Sequence, residues 1–322
     1  MFLRGIALVV AMVAVLDLSA SAQLALSTPR TPWGDPDLQG IWPSGQMIEV
    51  PFERPVELGT RATLNDAEFA MRELLLERQT ETDAAEFVTR GLTDVTPPQH
   101  WRERGLASRQ ASLVVDPSNG RLPALTEDGA ERAEAWRQRA NRTDFTGPED
   151  FNPYDRCITR GILGAAFPNI YSTGTEILQT PGYVVIRYEM IHEARIIPLD
   201  RRPHVSDRIR SYLGDARGRW DGDTLVVETT NFNGRTGSLG RNGNGNPTSD
   251  ALTLVERFRL TAANTLQYQV TVDDPKTFAR PWTVAFPMTR DREYVFYEYA
   301  CHEGNYALAN MLRAARVSEQ RR

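Results

Sequence analysis

Absences bound this sequence first. It has two cysteines and four histidines in 322 residues, and no excess of positive charge, the formal net charge being −5. A mildly acidic chain offers no electrostatic reason to hold nucleic acid or an anionic membrane, so neither is expected as a partner. No apolar run approaches the roughly 20 residues a spanning helix needs. The standard catalytic signatures are missing too: no Gly-x-Ser-x-Gly elbow, no glycine-rich loop before Lys-Ser/Thr, no His-Glu-x-x-His. Asp221-Gly222-Asp223 lacks the spacing and terminal glutamate of a calcium loop, and reads as a turn.

What is there starts with an address. Residues 5–16 form an unbroken apolar stretch behind Arg4, and Ala20-Ser21-Ala22 precedes Gln23. That is the pattern of a cleavable export signal, residues 1–22. No twin arginine and no lipid-accepting cysteine accompanies it. The expected product is a periplasmic or secreted protein without a stable membrane anchor. In such a compartment Cys157 and Cys301 are expected as a disulfide, two separate buried thiols being the alternative. The bridge would close a loop of roughly 145 residues, worth up to about 5 kcal/mol in the chain-entropy model. A catalytic thiol is disfavoured because no basic partner adjoins either cysteine.

Residues 23–150 read as an extended arm followed by a helical segment packed on the body. Trp33 and Trp42 punctuate the Pro/Gly-rich arm as anchors, with ligand stacking as the alternative. Thr63-Leu64-Asn65-Asp66 supplies caps for a helix over 67–79, and Thr126-Glu127-Asp128 for a second helix to about 139. Residues 112–115 suit a strand. The body, residues 151–322, carries about eight strand candidates: 176–180, 183–188, 195–199, 225–230, 252–260, 265–272, 282–286 and 293–299. Tyr268, Val270 and Val272 alternate with Gln267, Gln269 and Thr271, as one buried and one wet face require. With no helices between strands, antiparallel pairing is favoured. The expected fold is mainly β within the α+β class, a lipocalin-like antiparallel barrel or strongly curved sheet, with the arm and a few helices. A last helix is expected over 305–316, and the Gly/Asn-rich residues 237–246 as a loop.

Several motifs are long enough to be specific. Trp33-Gly34-Asp35-Pro36-Asp37-Leu38-Gln39-Gly40-Ile41-Trp42, Gly218-Arg219-Trp220-Asp221-Gly222-Asp223-Thr224-Leu225-Val226-Val227 and Glu298-Tyr299-Ala300-Cys301-His302-Glu303-Gly304-Asn305-Tyr306 stand in this chain. With Val272-Asp273-Asp274-Pro275 they resemble a large group of exported, largely uncharacterised bacterial proteins, over nearly the whole mature length. The resemblance implies export and a largely β body, and implies no activity.

The chemistry must therefore come from the residues. His192-Glu193 and His302-Glu303 each set an imidazole beside a carboxylate at an expected strand end, with Glu189 three residues before His192. Histidine titrates near neutrality and a carboxylate neighbour fixes its tautomer, which suits proton transfer. His192, His302, Glu189 and Glu303 are therefore the candidate catalytic residues, and Glu298 a further acid. Satisfied structural histidines are the plainer reading. A three-histidine metal site from His192, His204 and His302 is a further alternative, although no metal or other cofactor is expected. Arg217, Trp220, Tyr299 and Glu256 are candidate substrate contacts: a guanidinium beside an indole for a carboxylate or ring, a phenol, and an acid inside a β-branched strand. Asp273-Asp274-Pro275 reads first as a turn. The expected function is an exported enzyme performing metal-independent acid-base chemistry on a small organic molecule, as lyase, hydrolase or isomerase. A periplasmic binding or carrier protein without turnover is the alternative, and a filled structural barrel the third.

Overall fold

The computed structural model describes residues 28–89, 103–140, 142, 144–235 and 246–321; the expected export signal and nearly all of the glycine-rich loop lie outside them. Among the described residues, ten strands form two antiparallel sheets. The smaller holds β1 (Gly40–Ile41), β3 (Thr175–Thr180), β4 (Tyr183–Tyr188) and β5 (Ala194–Pro198) in the order β1-β3-β4-β5. The larger holds β2 (Val114–Asp116), β6 (Asp215–Asp221), β7 (Thr224–Thr230), β8 (Thr253–Ala262), β9 (Thr265–Asp273) and β10 (Trp282–Thr289), in the order β2-β10-β9-β8-β7-β6. Four helices accompany them: α1 (Asp66–Thr89), α2 (Glu127–Ala140), α3 (Gly161–Ala166) and α4 (Ala307–Gln320).

The alternation in β9 does what its pattern requires. Tyr268, Val270 and Val272 are buried, and the register sets Tyr268 between Phe286 of β10 and Phe258 of β8. These rings pack tilted against one another, 5.0 and 5.2 Å between centroids. Residues of both sheets share one core, with Ile177, Ile186 and Ile197 on one side and Leu254, Phe258 and Phe286 on the other. Each fully buried side chain of this size contributes about 1.5–3 kcal/mol.

The expected barrel does not form. The sheets are open and separate, and the edges that would have to close them are β1 and β2, two and three residues long. So short a strand cannot supply the continuous ladder that closure needs. β6 lies against β5 without pairing to it. Gly218 permits that approach: a Cβ there would stand 2.6 Å from Leu199 Cδ2 and 2.8 Å from Ile197 Cγ2. The strand expected at 293–299 is also absent. Those residues form no strand and pair with none, with Val295 and Tyr297 exposed, so the alternation there marks a surface strap rather than a sheet face.

The N-terminal segment is stitched into the body at both sheets, through β1 on β3 and β2 on β10. Trp42 is wholly buried, its Nε1 donating to the Leu38 carbonyl at 2.9 Å while the Arg290 guanidinium covers the ring. Trp33 remains partly exposed and donates to Asp35. At α1 the Asn65 side chain accepts from the Glu68 amide and Glu68 accepts from the Asn65 amide, both at 2.9 Å, a reciprocal cap. Thr126 caps α2 through the Gly129 amide. α4 buries Ala315 against the stacked rings of Phe145 and Phe151.

Cys157 and Cys301 are joined, their Cα atoms 5.6 Å apart. The bridge ties the unpaired strap to the loop after residue 150. Among the described residues, no helix is long and apolar enough to cross a membrane.

Candidate functional site

Beside the disulfide, the loop over 151–157, the end of the strap and the first turns of α4 line an open cavity of 660 Å³. Tyr154, Asp155, Glu298, Tyr299, Asn305 and Met311 are among its walls. Tyr154 is the hub of a phenol chain: its hydroxyl meets that of Tyr171 at 2.7 Å and that of Tyr299 at 2.8 Å. The rings of Tyr171 and Tyr299 lie nearly parallel, and the Arg160 guanidinium sits over Tyr154 at 4.7 Å. Burial, then the two hydroxyl contacts, push the Tyr154 phenol far above its ordinary pKa; burial also raises Tyr299, against its contact with Tyr154. Both phenols stay protonated and offer hydrogen bonds as donors and acceptors. Asp155 is pushed up by partial desolvation, opposed by the Asn152 loop, whose side-chain amide donates to it at 2.6 Å. The Asn305 amide reaches Cys157 Sγ at 3.5 Å. No lysine or arginine lines the cavity.

The β4–β5 turn abuts this wall. His192 is exposed, and its Nδ1 donates to the Tyr299 carbonyl at 3.0 Å. That contact leaves Nε2 as the basic nitrogen of the neutral ring. The turn is strained: Ile191 and His192 both take left-handed backbone, φ 58° and 47°, and a β-branched residue rarely does so. On either side sit two buried acids. Glu189 accepts from the Tyr294 hydroxyl and from the Gly174 amide. A Cβ at Gly174 would come within 2.8 Å of the Tyr294 ring and 3.0 Å of the Glu189 carboxylate, so only glycine admits this contact. Glu193 accepts from the Arg160 amide at 3.2 Å, and its other oxygen is buried without a partner. Burial pushes Glu193 up, against the Thr159 hydroxyl and the Arg160 amide.

The residues expected to act together are only partly brought together. His192 and Tyr299 meet, and Tyr299 lines the cavity with Cys301 and Glu298. His302 and Glu303 lie on an exposed turn after Cys301, their side chains without a partner among the described residues. Glu189 faces Tyr294 rather than His192. Three expected contacts fall elsewhere. Glu256 is in the dry core, bound by Arg195 at 2.6 and 3.0 Å, because its inward position on β8 meets a cation from the other sheet. Arg217 is held by Asp215 at 2.8 Å and by the Pro203 and Ala216 carbonyls on β6. Trp220 packs on the core at the same strand. His204 bonds Asp215 and Glu228 at 2.8 and 3.2 Å, and among the described residues no cluster of three ligating side chains is set for a metal. Asp274 is a turn acid, accepting from Ser249 and Thr277.

Tyr154, Tyr171, Asp155 and Asn305 were not legible as site residues. Tyr154-Asp155 stands two residues before Cys157, and Asn305 four after Cys301, so the disulfide was the signal that could have gathered them. Comparison with known proteins finds no family model that matches the chain and no curated protein similar to it.

Proposed function

We propose that this chain is an exported small-molecule binding protein whose ligand sits in the cavity beside the Cys157–Cys301 bridge. The observation that carries the reading is the wall itself: two linked phenols, Tyr154 and Tyr299, both pushed up by burial, on a space of 660 Å³, with Tyr171 bonded to Tyr154 behind them. Aromatic walls with a few convergent polar groups are what ligand sites are commonly built from. Asp155 and Glu298 with no cation opposite favour a ligand rich in donors, a hydroxyl or amine group on an apolar body. Export is supported by the disulfide, by the signal pattern of residues 1–22 and by the resemblance to exported proteins.

One observation favours turnover as the second reading. The Tyr299 carbonyl fixes the His192 Nδ1 as a donor and leaves Nε2 facing outward, so acid-base chemistry by His192 at the edge of this cavity is the reaction class such an enzyme would use.

Titration calorimetry with tyramine, an amine and phenol on one ring, tests the binding reading against 4-hydroxyphenylacetate, its anionic counterpart. Tyramine should bind more tightly, and Tyr299→Phe should weaken it by about fivefold, the value of a lost neutral hydrogen bond. Equal affinity of both probes for the wild type and the variant would sink the reading. Turnover that His192→Asn abolishes without loss of binding would promote the second.

A further inference from the structure

On the other side of the Pro148–Asp155 loop lies a second cavity, of 600 Å³, with the opposite character. Four arginines line it: Arg132 and Arg139 from α2, Arg156 from the loop before the disulfide, and Arg235. Trp136, one turn before Arg139 on α2, and Tyr212 supply ring faces. Glu149 is the single carboxylate in this wall, and it is exposed.

The arginines are not spent on one another's neighbours. Elsewhere in this chain exposed guanidiniums find acids, as Arg137 finds Glu134 at 2.8 Å and Arg202 finds Asp200. Arg139, Arg156 and Arg235 have no side-chain hydrogen bond or ion pair to any described residue, and the rings of Trp136 and Tyr212 have no partner there either. Arg132 is anchored by Nη2 on the Lys276 carbonyl and the Thr277 hydroxyl, yet its Nε is buried and unsatisfied. Four like charges gathered around one exposed carboxylate repel, which costs stability unless a ligand uses them. Planar forks match a carboxylate or phosphate bidentately, and an indole adds a face for a ring.

We propose that this cavity is a binding site for an organic anion, an oxyanion carried on an aromatic ring. The oxyanion meets Arg139 and Arg156, Arg132 and Arg235 add charge, and the ring lies against Trp136 or Tyr212. The inference does not depend on the first cavity, which is acidic and takes donors.

The test is titration calorimetry of the mature, oxidised protein with benzoate, phenyl phosphate and inorganic phosphate as probes. Phenyl phosphate should bind, more tightly than inorganic phosphate and more weakly as salt rises. Benzoate should compete with it. Arg139→Ala and Arg156→Ala should each weaken phenyl phosphate by at least about tenfold, as loss of a hydrogen bond to a charged group does. Both side chains lack partners among the described residues, so neither variant is expected to lose its fold, and an unchanged melting temperature checks this. Arg156→Lys, which keeps the charge and loses the fork, should recover only part of the affinity. Arg137→Ala, outside the cavity on the same helix, and Tyr299→Phe, in the other cavity, should leave it unchanged. No binding of either aromatic anion overturns the proposal. So does binding that survives in the Arg139→Ala/Arg156→Ala pair, or inorganic phosphate bound as tightly as phenyl phosphate.

Discussion

Arg195 of β5 and Glu256 of β8 form a two-point ion pair, at 2.6 and 3.0 Å, that joins the two sheets through the core. Both side chains are almost wholly removed from solvent, at 3% and 0% exposure. Tyr188 accepts from the same guanidinium at 2.9 Å, and Tyr268 donates to the same carboxylate at 3.1 Å. Burial pulls the guanidinium down, yet Glu256 outweighs it and holds Arg195 above its ordinary value. Removing one partner leaves an uncompensated charge in the dry core. Glu256→Leu should therefore destabilise by about 3–5 kcal/mol, whereas replacing both, Arg195→Met with Glu256→Leu, should recover most of that loss. Urea unfolding of the parent and these two variants measures this. A double variant no more stable than the single one would show that the pair itself, rather than the avoidance of a lone charge, holds the sheets.

The disulfide spans 144 residues and fastens a strap that has no sheet partner of its own. In the chain-entropy model a loop of that size is worth about 5 kcal/mol. Replacing both cysteines by serine should cost several kcal/mol in denaturant midpoint, and binding of tyramine should fall with it, since Cys301 and its neighbours wall the cavity. Stability lost with affinity intact would detach the cavity from the bridge.

Local signals carried most of the fold and little of the site. The strand pattern of β4 and β9 and the cap at Asn65 are written in contiguous residues, where a two-residue period or a side chain three positions from its partner decides the outcome. Closure of the sheets is a long-range property. Nothing in the alternation of residues 293–299 distinguishes a paired strand from a strap, because pairing depends on an edge that other elements must leave open. Glu256 illustrates the same limit. Its inward position was readable, but its partner lies 61 residues away, on the other sheet.

Glu193 makes stability depend on pH in a direction opposite to most carboxylates. Burial raises its pKa above the ordinary value, against the Thr159 hydroxyl and the Arg160 amide. A raised folded-state pKa means that the folded protein prefers the protonated form. The stability this lends is complete below the unfolded value of about 4.3 and is lost as pH rises through the folded value. Glu193→Gln keeps the neutral shape at every pH. Its melting temperature should exceed that of the parent at pH 7 and match it near pH 3.5. A difference that stays constant across that range would assign the effect to packing instead of ionisation.

The left-handed turn at Ile191 gives the sharpest sign test. In ordinary extended or helical backbone, glycine is less stable than alanine by roughly 0.5–1 kcal/mol, because it has more freedom to lose. At φ 58° the order should invert, since a Cβ in left-handed backbone costs about 1–2 kcal/mol and glycine escapes it. Ile191→Gly and Ile191→Ala both empty the same buried volume, so their difference isolates the backbone. Ile191→Gly should be the more stable of the two, by about 1 kcal/mol. Ile197 supplies the comparison, being equally buried but within the regular strand β5, and there alanine should win. The strain also bears on the site, because the same turn aims the His192 ring at the Tyr299 carbonyl. If alanine proves the better residue at both positions, the turn is relaxed in solution, and His192 loses the fixed tautomer on which the acid-base reading depends.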